Sequence, residues 1–255
     1  MRITLVIGCL CLGGAERQIA FMADYWAAKG WKVTLVTYIE GDNYYNVSTK
    51  VCQVSAYVSA SGSGLLTRTY QAWRRLVAIR QAISASHPQV VLSFLAQPNV
   101  RVLIATIGLK IPIIVCERND PYFEQTRPSF RLLRCWLYAR ANFVVTQTEA
   151  ALDYFPSYIR ARSCIIPNPV PKPVDASPRK SGANRIGKIV MAMGRLADQK
   201  GFDLLLEAFA LVAQQHQEWS LYIWGEGEQR SALETLAAHL NVSPSLSSRY
   251  EKGAS

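Results

Sequence analysis

Residues 1–38, MRITLVIGCLCLGGAERQIAFMADYWAAKGWKVTLVTY, decide the fold. Ile3 to Ile7 is an unbroken apolar run, the pattern of a strand covered on both faces. Gly13 and Gly14 punctuate the chain, and then Ile19, Ala20, Met22, Ala23, Trp26 and Ala27 recur at helical spacing. Lys29-Gly30 closes that helix, and Trp31 to Tyr38 is a second, β-branched strand. Strand, glycine loop, helix and strand make one complete βαβ unit. Arg2 ahead of Ile3 to Leu12 also resembles a short signal peptide. The break at Gly8 and the polar loop 13–18 favour a buried first strand instead.

The alternation continues outward from this unit. Helical spacing is expected over Tyr70 to Ile83, Val100 to Ile107, Arg131 to Ala141 and Ala150 to Phe155. Strands are expected at Val90 to Phe94, Pro112 to Cys116, Phe143 to Gln147 and Ser163 to Ile166. Such alternation points to an α/β fold with a parallel sheet between helical layers. Residues 167–184, PNPVPKPVDASPRKSGAN, lack any apolar period and have the composition of a linker. The pattern then restarts with strands at Ile189 to Met193 and Leu221 to Trp224, and helices at Leu204 to Val212 and Ser231 to Leu240. The expected organisation is an N-terminal domain over 1–170, a linker over 171–184, a partial second domain over 185–241 and a polar tail over 242–255. Two βα units do not close a doubly wound sheet, so the second domain is expected to be incomplete.

Composition narrows the function classes. The chain has 255 residues, 50% hydrophobic and 18% charged, with no apolar run of the ~18 residues a spanning helix needs. Residues 1–180 hold 21 Lys and Arg against 10 Asp and Glu, a net of +11, whereas residues 181–255 hold 7 against 8, a net of −1. A basic front half suits an anionic surface or partner. Arg68, Arg74, Arg75 and Arg80 interleave with Trp73, Leu76, Val77 and Ile79. Arg127, Arg131, Arg134 and Arg140 interleave with Phe130, Leu133, Trp136 and Leu137. The apolar members are expected to pack on the sheet, and the arginines to face an anionic membrane. No nucleic-acid module is visible. The six cysteines, Cys9, Cys11, Cys52, Cys116, Cys135 and Cys164, contain no C-x-x-C pair. They are expected to be free thiols in a reducing compartment rather than a zinc or disulfide framework.

Three loops carry candidate chemistry. Gly8, Gly13 and Gly14 do not form G-x-G-x-x-G, and no P-loop Lys follows, which argues against nicotinamide cofactors and Walker-type binding. Paired glycines before a helix still let backbone N–H groups approach an anion. Arg195 and Lys200, in GRLADQKG over 194–201, sit between a strand end and a helix, an arrangement suited to a diphosphate. Glu117, Arg118, Asn119 and Asp120 directly follow a strand, where they can contact a hydroxylated substrate or cap the next segment. There is no Asp-x-Asp pair to hold a metal and no G-x-S-x-G elbow.

Taken in order, G-G-A-E-R-Q (13–18), C-E-R-N-D-P (116–121), T-Q-T-E (146–149), I-P-N-P-V (166–170), G-R-L-x-x-Q-K-G (194–201) and W-G-E-G-E (224–228) resemble the family 4 glycosyltransferases. Those are retaining enzymes with two Rossmann-like domains, the GT-B type, and the likeness is to the subgroup acting on lipid-linked or surface polysaccharides. The resemblance implies a nucleotide-diphosphate sugar as donor and no metal cofactor. It places Gly13, Gly14, Arg195, Lys200, Gly225 and Glu226 on the donor, with Arg195 and Lys200 stabilising the leaving diphosphate. On the same basis the N-terminal domain takes a glycan or polyprenyl-linked acceptor, with Glu117, Arg118 and Asn119 on that side. The implied location is cytoplasmic, at the inner face of the plasma membrane. The family also carries an E-x7-E motif in its second domain. Ser247 to Glu251 resembles the segment leading into it, and the second Glu would fall beyond Ser255. An activity against a sugar donor is therefore set beside an alternative, a non-catalytic acceptor- or membrane-binding protein with a vestigial donor domain.

Overall fold

The computed structural model describes residues 1–41, 43–59, 64–124, 126–169, 188–242 and 245–247. The chain divides into two compact units, Met1–Pro171 and Lys172–Ser255. The expected linker over 171–184 lies outside the described residues.

In unit 1 seven parallel strands form one sheet. They are β1 (Arg2–Ile7), β2 (Lys32–Thr37), β3 (Cys52–Ser55), β4 (Val90–Phe94), β5 (Ile113–Cys116), β6 (Phe143–Thr146) and β7 (Ser163–Ile165), in the order β3-β2-β1-β4-β5-β6-β7. Successive residues of each strand feed opposite faces. Ile3, Leu5 and Ile7 of β1 pack with Ile19, Ala23 and Ala27 of helix α1 (Gly14–Ala28). Val6 points the other way, into a cluster with Ile79 and Ile83 of α2 (Leu65–Ala85), Val102 and Leu103 of α3 (Ala96–Ala105), and Leu137 and Tyr138 of α4 (Pro128–Tyr138). The sheet is thus apolar on both sides, as the unbroken run in β1 requires. Each wholly buried Leu or Ile contributes about 1.5–3 kcal/mol. Two short helices, α5 (Glu149–Asp153) and α6 (Ser157–Arg160), complete the unit.

The strand order runs outward in both directions from the β1/β4 pair. Loops leaving these two strands therefore turn to opposite faces and open a crevice at their carboxyl ends.

Unit 2 is a βαβαβ array: β8 (Lys188–Met193), α7 (Phe202–Ala213), β9 (Trp219–Trp224), α8 (Arg230–His239) and β10 (Ser245–Ser247), with the parallel sheet order β10-β9-β8. Residues 245–247, expected as part of a polar tail, instead pair in parallel with Tyr222 to Trp224. Ladder bonds use backbone groups only, and three residues are too few to show a period. Leu206, Phe209, Leu221, Ile223 and Leu233 form the core on one face of this sheet. On the other face Ile189, Met191, Met193, Tyr222 and Trp224 are exposed.

The cysteine expectation holds only in part. Cys52, Cys116, Cys135 and Cys164 are free, but Cys9 and Cys11 are joined by a disulfide in the loop after β1. Among the described residues no helix is long and apolar enough to cross a membrane, and no cluster of His, Cys, Asp or Glu could hold a metal ion.

Candidate active site

The crevice at the β1/β4 switch point is a cleft of about 240 Å³. Its walls come from the residues that leave four strands. Gly8 and Cys9 follow β1, Tyr38 and Ile39 follow β2, Leu95 to Pro98 with Arg101 follow β4, and Asn119 and Glu124 follow β5. The amides of Tyr38 and Ile39 both donate to the Gly8 carbonyl, at 3.0 and 2.8 Å, which ties the first two loops together.

Leu95 makes the turn from β4 into α3 at φ 74°, ψ 148°, in the left-handed half of backbone space. Such a conformation costs a non-glycine residue about 1–3 kcal/mol. It is held by the Leu95 amide donating to Cys116 O at 3.0 Å and the Leu95 carbonyl accepting from the Asn99 amide at 2.9 Å.

Arg101 projects from α3 into the cleft. Its Nη1 donates to the Tyr38 hydroxyl at 3.0 Å and its Nη2 to Gln97 Oε1 at 3.4 Å, with the guanidinium 5.3 Å from the Tyr38 ring centre. Glu16 lines the opposite end. Its carboxylate folds back over Gly13, occupying the place where a side chain at residue 13 would begin. Gly13 precedes the first turn of α1, and Glu16 sits three residues on, the position from which a carboxylate faces the unpaired N–H groups of a helix start.

The segment after β5 splits between two environments. Glu117 is fully buried, and its carboxylate accepts from the Tyr138 hydroxyl in a very short hydrogen bond. Asn99 Nδ2 donates in turn to Tyr138 Oη at 2.9 Å and to Cys116 O at 3.2 Å. Arg134 is wholly buried beside them, with Nη1 at 2.7 Å from Glu124 Oε2 and 3.8 Å from Glu117 Oε1. Its guanidinium lies 5.0 Å from the Tyr154 ring centre and 5.6 Å from that of Phe155. Burial pushes the Glu117 carboxyl up to about 7, against the pull of Arg134 and the Tyr138 hydrogen bond. Burial, against the pull of Arg118, likewise pushes the neighbouring Cys116 thiol up to about 12.

Of the three acceptor-side candidates, Asn119 lines the cleft and Glu117 lies beneath it. Arg118 stacks 4.3 Å from the Phe94 ring centre and donates from Nη1 to Asn168 Oδ1 at 2.8 Å, joining the 116–121 and 166–170 segments. Arg134, grouped by sequence with surface arginines, belongs to the core.

In unit 2 the loops leaving β8 and β9 interlock. Gly194 N donates to Trp224 O at 3.0 Å, Leu196 N to Glu226 O at 2.8 Å, and Gln229 N to Leu196 O at 3.0 Å. A Cβ at Gly225 would overlap the Gly194 carbonyl, so the two loops touch backbone to backbone. Glu226 is held by Arg230 through two bonds, Nη2 to Oε1 at 2.9 Å and Nε to Oε2 at 3.0 Å. Arg195 and Lys200 are exposed and have no ion-pair partner among the described residues. Lys200 ends a 3₁₀ turn (Asp198–Lys200), and Gly201, at φ 63°, then opens α7 in a left-handed conformation that favours glycine. Two exposed cations are thus presented beside a helix start at the carboxyl end of a parallel strand. Of the segment Ser247 to Glu251 expected to lead to a Glu pair, Ser247 ends a strand paired with β9, and Glu251 lies outside the described residues.

Comparison with known proteins places this geometry. The sequence profile described as Glycosyltransferase Family 4 matches residues 12–172, well over half of the chain. The chain belongs to glycosyltransferase family 4. A second profile, Glycosyl transferases group 1, matches residues 174–247. The chain is 25% identical over 254 residues to the GalNAc-alpha-(1->4)-GalNAc-alpha-(1->3)-diNAcBac-PP-undecaprenol alpha-1,4-N-acetyl-D-galactosaminyltransferase of Campylobacter jejuni, covering 98% of this chain and 68% of that protein. It is 24% identical over 240 residues to the amylovoran biosynthesis glycosyltransferase AmsD of Erwinia amylovora, covering 90% of this chain and 63% of that one. The chain therefore spans about two thirds of the length of these relatives. Sucrose-phosphate synthase from Thermosynechococcus elongatus superposes with a TM-score of 0.75 at 13% identity, over 98% of this chain and 70% of that one. HepE from Anabaena, solved with UDP and glucose, superposes with a TM-score of 0.72 at 15% identity, over 96% and 68%. The fold of this glycosyltransferase is accordingly GT-B, with Rossmann-like parallel sheets in both units.

The residues that sequence reasoning passed over are Tyr38, Leu95, Gln97 and Arg101. Their signal was position: Tyr38 and Leu95 are the residues next after β2 and β4, where open parallel sheets bind ligands.

Proposed function

We propose that this glycosyltransferase moves a sugar, with retention, from a nucleoside-diphosphate donor to a hydroxyl of a glycan or polyprenyl-linked acceptor. The observation that carries the reading is the exposed Arg195 and Lys200, without an ion-pair partner among the described residues, beside the interlocked glycine loops of unit 2. A departing diphosphate gains negative charge, and cations fixed where that charge develops lower the barrier. The reading needs no metal, because these two side chains supply the charge and the chain has no Asp-x-Asp pair. The Campylobacter relative acts on a diphospho-undecaprenol-linked glycan and HepE was solved with UDP, which makes UDP the first ligand to try.

Calorimetric titration with UDP and with GDP tests the reading. Saturable binding of one of them, unchanged by EDTA, is expected. A chain that melts cooperatively and binds neither would be the non-catalytic acceptor- or membrane-binding protein instead.

A second element of the reading is docking on an anionic leaflet. Leu66, Tyr70 and Trp73 of α2 and Leu132, Leu133 and Trp136 of α4 are exposed, and both helices flank α3 in one layer of unit 1. Arg68, Arg74, Arg127, Arg131 and Arg140 are exposed around them. Apolar side chains among arginines that have no ion-pair partner among the described residues fit acyl chains below and anionic headgroups above. Cosedimentation with phosphatidylglycerol vesicles should weaken as salt rises and in Trp136→Ser. Equal binding to neutral vesicles would remove this element.

A further inference from the structure

We propose that the cleft of unit 1 selects an acceptor sugar carrying an anionic oxygen group, a carboxylate or a phosphoryl ester, and that Arg101 and Tyr38 bind that group. The inference rests on the transferase reading for the word acceptor and on the cleft itself for the rest. Arg101 spends its hydrogen bonds in the cleft on neutral partners, the Tyr38 hydroxyl and Gln97 Oε1. Among the described residues no carboxylate lies within ion-pair distance of it. The two carboxylates that line the same cleft are engaged elsewhere. Glu124 is paired with Arg134 at 2.7 Å, and Glu16 is folded over Gly13. Among the described residues, the positive charge of Arg101 is left without a counter-charge.

Tyr38 makes the second observation. Its side chain is 1% exposed, yet it lines the cleft. The hydroxyl oxygen accepts from Arg101, and its own proton has no acceptor among the described residues. Burial, against the pull of Arg101, holds the phenol above its ordinary value, so that proton is present at neutral pH. A buried donor without an acceptor is costly unless a ligand supplies one. The guanidinium lies 5.3 Å from the Tyr38 ring centre and is held by its bonds to Tyr38 and Gln97, which lowers the ordering cost of a charge-assisted contact. Guanidinium and phenol hydroxyl together present donors to one oxyanion. Gln97 and Asn119 are placed for the neutral hydroxyls of the same sugar.

Ligand-observed NMR titrations of the full chain with glucose, glucuronate and glucose 6-phosphate test the proposal. At least one anionic sugar is expected to bind roughly tenfold or more tightly than glucose, the scale of one charge-assisted contact. Whichever is preferred identifies the carboxylate or the phosphoryl group as the source. Arg101→Gln should bring the three sugars to equal affinity, Arg101→Lys should keep part of the discrimination, and Tyr38→Phe should weaken the anionic sugar alone. Melting curves confirm that each variant is folded. Equal affinity for all three sugars, no saturable binding of either anionic sugar, or unchanged discrimination in folded Arg101→Gln would overturn the proposal. UDP titration of the same samples reports separately on the transferase reading. Discrimination without UDP binding would remove the donor and leave the cleft's selectivity, and the converse would remove the selectivity alone.

Discussion

Replacing Arg134 by Met should destabilise unit 1 in a pH-dependent way. The substitution keeps most of the apolar volume against Tyr154 and Phe155 and deletes the charge that faces Glu117 and Glu124. Glu124 keeps some access to water, but Glu117 does not. Breaking a buried pair from one side costs about 3–5 kcal/mol. Glu117, whose folded-state value stands at about 7, can limit that cost by taking up a proton. Its folded value lies above the unfolded one, so its contribution is fully present below about pH 4.5 and is lost as pH rises through 7. Without Arg134 the folded value rises further, and each unit of rise adds about 1.4 kcal/mol to the cost on the alkaline side. Urea unfolding should therefore show a loss of about 3 kcal/mol or more at pH 8.5 and a smaller one at pH 6. Adding Glu117→Gln should remove most of that pH dependence. The same loss at both pH values would refute the reasoning, because the deleted cation would then not be neutralising Glu117.

Further outcomes follow from other parts of the structure. Arg195→Ala and Lys200→Ala should each weaken UDP or GDP binding roughly 10- to 150-fold by calorimetry, the worth of one charge-assisted contact. At position 95 the usual order of Ala and Gly should invert: Leu95→Gly should be more stable than Leu95→Ala by about 1 kcal/mol in urea unfolding, because only glycine accepts φ 74° without strain. Gly225→Ala should lower the stability of unit 2 by about 1–3 kcal/mol and disturb nucleotide binding with it, since its methyl group meets the Gly194 carbonyl.

The β1–α1–β2 unit was legible because its periods are long and uninterrupted. β3 was not, since Cys52-Gln53-Val54-Ser55 is half polar and mostly exposed at the sheet edge. The start of α3 at Ala96, ahead of the expected Val100, was hidden by Pro98, which the first turn of a helix tolerates. Arg134 was misplaced although spacing could have placed it. Phe130, Arg134 and Leu137 stand at i, i+4 and i+7, on the face that packs inward. Glu117 stood in a motif of polar residues, and only the fold shows that it turns under the sheet edge while Asn119 faces the cleft. The Cys9–Cys11 bridge fell outside any search for C-x-x-C. The loop that carries Arg195 and Lys200 was legible because glycines bracket it between a strand and a helix.

Met191 and Met193 stand on the side of the second sheet that water wets poorly, together with Ile189, Tyr222 and Trp224. An oily plane of this kind is adhesive, and collisions between molecules should make thermal inactivation faster in concentrated samples than in dilute ones. These two thioethers are also open to peroxide. Conversion to the sulfoxide makes each side chain polar, so mild oxidation, which ordinarily shortens a protein's life in solution, should here lengthen it.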